Sequence, residues 1–94
     1  IIDLFETDKT TIENLGRPAT SALHVHQLIQ RKPIISVPAA STQLGISKPT
    51  IRKSIHHLID LGVLREVTGK QRGQMFVYDK YLSILNEGTT PLPH

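Results

Sequence analysis

The chain has 94 residues and a mass of 10.5 kDa, which fits one small domain and leaves no room for a second. Lysine and arginine outnumber aspartate and glutamate by 11 to 8, so the formal charge of +3 gives only a mild preference for anionic partners. Cysteine is absent, which excludes disulfides and thiolate-bound metals, and no segment approaches the ~20 apolar residues of a membrane span. We therefore expect a soluble, cytoplasmic protein without a membrane partner.

The first third of the chain carries an apolar stripe at helical period. This stripe runs from Ile12 to Ile29 and predicts one long helix, or two stacked helices, over about residues 8–31. Pro18 interrupts the stripe, and proline disfavours helical geometry in the residue before it. We therefore expect a kink or a break near Arg17.

A short strand and a short helix are predicted next. Residues Ile34–Ser36 are a candidate strand, expected to pair with the edge of a later hairpin. Residues Pro38–Leu44 read as a brief helix, with the Ser36 hydroxyl available to accept from its first free N–H groups. Gly45 fits the left-handed position that ends such a helix, so a tight turn should follow at once.

The next helix is amphipathic and basic. Ser47 is a suitable N-cap, and Gly62 ends the run. Ile51, Ile55, Leu58 and Ile59 repeat at helical spacing, so one face is predicted to be buried. At about 100° per residue, the opposite face carries Thr50, Lys53, His56, His57 and Asp60, with Arg52 on its flank and Lys48 in the first turn. The exposed face is therefore polar and mostly cationic.

A hairpin follows the basic helix. Val63–Val67 and Gln74–Tyr78 are rich in β-forming residues and predict two strands. The connection Thr68–Gly73 contains two glycines and two cations, Lys70 and Arg72. The hairpin tip should therefore be flexible and positively charged.

The two ends of the chain frame this domain. Asp79 is expected to cap a final helix that stops at Gly88, and residues 89–94 read as an irregular tail. Residues 1–8 are interpreted as the remnant of a connection to an upstream domain. The folded domain is then expected to span residues 9–88.

This order of elements is typical of a winged helix-turn-helix, an α+β fold with, here, an N-terminal helical extension and a short C-terminal helix. Helix and hairpin can then contact one duplex together, with the helix in the major groove and the hairpin tip on the backbone or in the minor groove. The predicted partner is double-stranded DNA, contacted by Lys48, Thr50, Arg52, Lys53, His57, Lys70 and Arg72. The alternative is a protein-interaction module without DNA binding, which docks on another domain, presents a protein substrate or forms a homodimer, because exposed cations occur on any soluble surface.

The histidines and aromatic residues favour packing over chemistry. His24 and His26 are two positions apart, and His56 and His57 are adjacent, so neither pair has the i, i+3 or i+4 spacing that puts two ligands on one helical face. No metal site is predicted, and His26 is expected in the core with a satisfied ring. The aromatic residues expected to pack between the hairpin and the last helix, rather than to stack on bases, are Phe76, Tyr78 and Tyr81.

Several stretches of the chain are similar to one family. The most specific runs from Phe76 to Thr89 and reads FVYDKYLSILNEGT. The others are Glu13–Arg17, Ser21–His26, Leu44–Ser47 and Leu61–Gly69. Together they resemble the C-terminal winged-helix module of Fic-family (filamentation induced by cAMP) proteins, whose catalytic domain is an adenylyltransferase that moves AMP from ATP to protein hydroxyls.

The resemblance implies a non-catalytic piece of an enzyme. The family's catalytic signature, His-Pro-Phe-x-Asp-Gly-Asn-Gly-Arg, is absent, so the transferase would lie upstream, with ATP and magnesium as its cofactors and the upstream domain as a partner of this one. No cofactor is implied for these 94 residues. The residues Ser83, Glu87 and Gly88 also fit the family's inhibitory pattern Ser/Thr-x-x-x-Glu-Gly/Asn, although that element is expected ahead of the catalytic domain. Otherwise Glu87 and Gly88 simply end a helix.

Overall fold

The computed structural model describes residues 2–69 and 73–89, with the backbone alone described for Ile2 and for residues 86–89. This part of the chain forms five helices and three short strands. The helices are α1 (Ile2–Glu13), α2 (Ala19–Arg31), α3 (Val37–Leu44), α4 (Lys48–Asp60) and α5 (Asp79–Thr89), and the strands are β1 (Ile34–Ile35), β2 (Arg65–Glu66) and β3 (Phe76–Val77). The strands form one antiparallel sheet in the order β1-β3-β2. The architecture is α+β, as predicted.

The predicted break near Arg17 is confirmed. Helix α1 ends at Glu13 and α2 begins at Ala19, whose N–H donates to the Gly16 carbonyl at 3.0 Å. Pro18 occupies the N-cap position of α2, where its missing N–H costs nothing. The apolar stripe therefore continues over two helices that pack against each other.

The N-terminal boundary needs a correction. Helix α1 begins at Ile2 and runs through residue 9 without interruption, so the boundary drawn there does not mark the start of the folded unit. Leu4 and Phe5 pack against the core, and Asp8 is only 3% exposed. These residues share one arc of the helix with the buried Ile12, which explains why they fold with the rest.

Helix α3 and the turn after it follow the sequence signals closely. It begins at Val37, one residue earlier than predicted, and the Ser36 hydroxyl accepts from the Ala39 N–H at 3.3 Å. Gly45 ends it with a φ of +66°, which glycine adopts without steric cost. The Ser41 hydroxyl donates to the Ile46 carbonyl at 2.5 Å, and this bond fixes the turn into α4.

Helix α4 lies with its apolar face inward. Ile51, Ile55 and Leu58 are each at most 1% exposed and belong to the main core with residues of α2. Full burial of an aliphatic side chain of this size contributes roughly 1.5–3 kcal/mol relative to exposure. The predicted orientation of α4 is confirmed, and its opposite face is directed away from the core.

The sheet is smaller than the sequence predicted. Each strand has two residues, with Ile34 and Arg65 opposite Val77, and with Ile35 and Glu66 opposite Phe76. Beyond the strands, backbone bonds join Val67 to Met75 at 3.1 Å and Tyr78 to Pro33 at 2.8 Å. The predicted pairing of the first strand with the hairpin is therefore confirmed, whereas the predicted five-residue strands are wrong.

Helix α5 is longer than predicted. It runs through Gly88 to Thr89, so Gly88 lies inside the helix and does not end it. Asp79 is its first residue, and the carboxylate accepts from the Arg65 guanidinium at 3.1 Å across the surface. This exposed ion pair joins the start of α5 to β2 and contributes little to stability.

Candidate nucleic-acid interface

The outer face of α4 carries three exposed cations close to its N-terminus. Lys48, Arg52 and Lys53 are exposed, and none of them makes a hydrogen bond or an ion pair with another described residue. The nearest acid on the helix is the exposed Asp60, its last residue. The N-terminal half of α4 therefore presents unpaired positive charge to solvent, together with the positive end of the helix dipole.

The hydroxyl of Ser47 does not cap α4 in the predicted way. Ser47 occupies the N-cap position, but its hydroxyl donates to Thr50 Oγ1 at 3.0 Å and accepts from no backbone N–H. Pro49 has no N–H to satisfy. The Thr50 hydroxyl is therefore engaged by a side chain of its own helix start.

The remaining predicted contact residues of α4 are less accessible. Thr50 and His57 are partly buried, whereas His56 is exposed. Exposure thus divides the predicted set into three open cations and two residues with restricted access. Lys70 and Arg72 lie outside the described residues.

The start of the hairpin connection is organised by the Glu66 carboxylate. Its Oε2 accepts from the backbone N–H groups of Thr68 and Gly69, at 2.7 Å each, and from the Thr68 hydroxyl. Gly69 has a φ of +65°, a conformation that favours glycine. The connection therefore leaves β2 in a defined direction. The sequence did not predict this direction, because β-propensity gives no information about the hydrogen bonds of the Glu66 side chain.

Hydrogen bonds between buried polar side chains join α1, α2 and the residue after β3. The Tyr78 hydroxyl donates to Asp8 Oδ2 at 2.5 Å, and it lies 3.1 Å from His26 Nε2. Gln30 Nε2 lies 3.2 Å from His26 Nδ1. An amide nitrogen can only donate, so Nδ1 accepts and Nε2 carries the proton that is donated to Tyr78. In this series of hydrogen bonds, Gln30 donates to His26, His26 donates to Tyr78, and Tyr78 donates to Asp8.

Burial sets the protonation of this cluster. It lowers the pKa of His26 below its ordinary value of 6.5, with Asp8 opposing the shift and Lys9 adding to it. The pKa of Tyr78 is raised well above its ordinary value of 10, first by burial and then by the hydrogen bond to Asp8. A neutral imidazole and a protonated phenol are the states that the chain of bonds requires.

The aromatic residues pack as predicted. Tyr78 is fully buried, Phe76 is 3% exposed, and Tyr81 is partly buried against the core. Phe5 contacts Tyr78 and Tyr81 at centroid distances of 6.0 Å and 5.0 Å. The prediction that His26 is a core residue with a satisfied ring is also confirmed, and His24 is exposed.

Asp8 is the residue that sequence reasoning missed. Its position offered a signal, because Leu4, Asp8 and Ile12 are spaced by four and lie on one helical face. A carboxylate between two core residues is costly to bury unless it is bonded, so this spacing indicates a partner. The identity of that partner, 70 residues away, could not be read from the sequence.

The remaining predictions concern α5, metal ions and membranes. Ser83 is exposed on α5, while the side chain of Glu87 lies outside the described residues. Within the described ranges, no group of three histidine, cysteine or acidic side chains is placed to hold a metal ion, and no helix is both long and apolar enough to cross a membrane. A pocket of about 270 Å³ opens between α1 and α2 and is lined only by residues of these helices.

Comparisons with protein-family models, with curated proteins and with solved structures gave no match to this chain.

Proposed function

We propose that this chain is a winged helix-turn-helix module that binds double-stranded DNA without catalysis. Helix α4 is the recognition helix in this proposal, and the β2–β3 hairpin is the wing. Lys48, Arg52 and Lys53 contact the major groove and its phosphates, and Lys70 and Arg72 contact the backbone. Thr50 and His57 contribute at the margin of this surface, since both are partly buried.

The observation that carries the proposal is the placement of unpaired cations on α4. The helix buries Ile51, Ile55 and Leu58, so the cationic face must point outward. The order of elements along the chain supports the assignment, because the β2–β3 hairpin follows directly on α4, as the wing follows the recognition helix in such folds. Phosphate contacts supply most of the affinity in such complexes.

The resemblance to Fic-family proteins extends this proposal to a parent protein. In this parent protein, an adenylyltransferase domain lies upstream and uses ATP and magnesium. The module described here regulates that domain. The support is the run from Phe76 to Thr89 and the absence of the family's catalytic signature from the chain. An AMP-transfer assay on these 94 residues should therefore be blank.

The test is a salt titration of duplex binding. If four or five of the cations Lys48, Arg52, Lys53, Lys70 and Arg72 contact phosphates, the logarithm of affinity should fall with the logarithm of salt concentration at a slope of about −4. Fluorescence anisotropy with a labelled duplex at several salt concentrations measures this slope. A slope near zero, or no binding at low salt, would contradict the proposal.

The rival function, docking on a protein, is favoured by a different surface. Ile34 and Val67 are 51% and 44% exposed, and both lie on the side of the sheet that carries Arg65. If this face is covered by a second copy, sedimentation equilibrium should show a dimer that Ile34→Glu dissociates. A monomer at all concentrations would contradict the hypothesis that a second copy covers this face.

A further inference from the structure

Tyr78 lies at the root of the proposed wing. It follows β3 directly and precedes the first residue of α5. Its backbone N–H donates to the Pro33 carbonyl at 2.8 Å, which extends the pairing of β3 with β1 by one residue. Its side chain is fully buried. The hairpin is thus joined to α5 through this residue and to α4 through residues 61–64.

The Tyr78 hydroxyl joins the hairpin root to two helices at once. It donates to Asp8 of α1 and accepts from His26 of α2, at 2.5 Å and 3.1 Å. Gln30 fixes the tautomer of His26, so the direction of both bonds is defined. One hydroxyl thus ties α1 and α2 to the base of the hairpin.

The hairpin also has directional backbone restraints, because the Val63 and Leu64 N–H groups donate to the Leu58 carbonyl of α4 at 2.8 Å and 3.2 Å, and β3 pairs with β1. The two strands contribute two residues each, and the surface ion pair between Arg65 and Asp79 restrains it weakly. Phe76 and Val77 are buried, but apolar contacts do not specify an orientation in the way that hydrogen bonds do. The side-chain bonds of Tyr78 therefore hold the β3 end of the hairpin to α1 and α2, while backbone bonds hold its β2 end to α4.

From this geometry we infer that Tyr78 and Asp8 are positioning residues for duplex binding. They hold the hairpin beside α4 so that both can engage one duplex, although neither touches it. The inference rests on the proposed function and goes beyond it, because it places control of duplex affinity in side chains that are buried inside the protein. It predicts that removing one buried oxygen weakens binding only through the hairpin.

A double-mutant cycle tests the coupling. Tyr78→Phe keeps the ring and removes the hydroxyl, and Lys70→Gln with Arg72→Gln removes the hairpin cations. Tyr78→Phe should lower the steepness of the salt dependence by about 1.8, the value for two lost phosphate contacts. In the chain that already lacks the hairpin cations, it should change neither affinity nor slope. An equal loss of affinity in both backgrounds, or no loss in either, overturns the inference.

Asp8 supplies a matched pair of variants. Asp8→Asn retains an oxygen that accepts from Tyr78, whereas Asp8→Ala removes the acceptor. We expect Asp8→Asn to keep the salt slope of the wild-type protein and Asp8→Ala to reproduce that of Tyr78→Phe. If both variants bind as the wild-type protein does, Asp8 has no positioning role.

A distance measurement separates this inference from the proposed function. The chain contains no cysteine, so spin labels can be attached uniquely to His56→Cys on α4 and Val67→Cys on the hairpin. Pulsed electron resonance on the free protein should give one narrow distance, which broadens or shifts in Tyr78→Phe. An unchanged distance overturns the positioning role whatever the binding result. If the wild-type protein binds no duplex, the proposed function fails, and the distance still decides the positioning role.

Discussion

The polar side chains buried under α1 and those on the outer face of α4 differ in exposure and in hydrogen bonding. Asp8, His26 and Tyr78 are each at most 3% exposed, and each is hydrogen-bonded within the protein. Lys48 and Lys53 are exposed and have no partner among the described residues. Because buried polar groups are costly unless they are paired, the first set must serve the fold. The second set is free to serve a partner.

Substitutions in the two regions should also have different effects on the free energy of unfolding. Removing a member of the buried set leaves another polar group without its partner in a site that excludes water. Removing an exposed cation costs the folded protein little, because water solvates both the native and the unfolded state. Variants in the first region should therefore alter stability, and variants in the second should alter binding alone.

The largest stability effect is expected at Asp8. Asp8→Ala leaves the Tyr78 hydroxyl without an acceptor and should lower the free energy of unfolding by about 3 kcal/mol. Asp8→Asn should cost about half as much, since its amide oxygen still accepts. Urea denaturation followed by circular dichroism measures both. Thr10→Ala, at an exposed position of the same helix, serves as control. If Thr10→Ala lowered the free energy of unfolding as much as Asp8→Ala does, the larger role given to the buried side chain would be wrong.

The pH dependence of stability sharpens the comparison through His26. Because burial lowers the pKa of His26 in the folded protein, the unfolded chain takes up the proton first as the pH falls. The stability contributed by the neutral ring is present above pH 6.5 and is lost below it, by up to about 1.4 kcal/mol per pH unit.

His26→Gln should remove this part of the pH dependence, since glutamine does not titrate. Thermal unfolding of both proteins between pH 7.5 and about 5 measures the difference between them. Parallel curves would show that His26 takes up no proton on unfolding. His24→Gln, at an exposed position of the same helix, is the control and should leave the wild-type curve unchanged.

The smallest effect distinguishes two similar helix starts. Ser36 and Ser47 both precede a helix with proline two residues later, but only Ser36 accepts from a backbone N–H. Ser36→Ala should therefore cost about 1 kcal/mol, the usual value for a lost cap. Ser47→Ala should cost a few tenths of that, because it removes only an exposed bond to Thr50. Equal losses in denaturation would show that Ser47 caps α4 after all.

Local signals in the sequence predicted most of the fold. The spacing of Ile51, Ile55 and Leu58 gave the orientation of α4, and Gly45 gave the end of α3, since both depend on residues within one or two helical turns. The sequence failed where distant residues decide the structure. The bond of Asp8 to Tyr78 is such a case, and the length of the strands is another, because it depends on how β3 pairs on both sides.

For the candidate site too, the sequence predicted local features and missed the contacts between side chains. Helical spacing placed Lys53 on the open face, Arg52 on its flank and Lys48 in the first turn, and all three side chains are exposed in the structure. It could not show that Thr50 is engaged by Ser47, or that His57 is partly buried, because side-chain bonds and neighbouring elements decide both. Spacing alone therefore identifies a face, and the structure identifies which of its residues remain available.

One measurement tests the central claim most directly, namely that the outer face of α4 binds duplex DNA. Lys53→Glu and Lys9→Glu make the same change in net charge, one on α4 and the other at an exposed position of α1. In a gel shift at low salt and at physiological salt, Lys53→Glu should abolish the complex at both, while Lys9→Glu should bind nearly as the wild-type protein does. Equal weakening by the two variants would show that net charge alone governs binding, and the claim for α4 would be wrong.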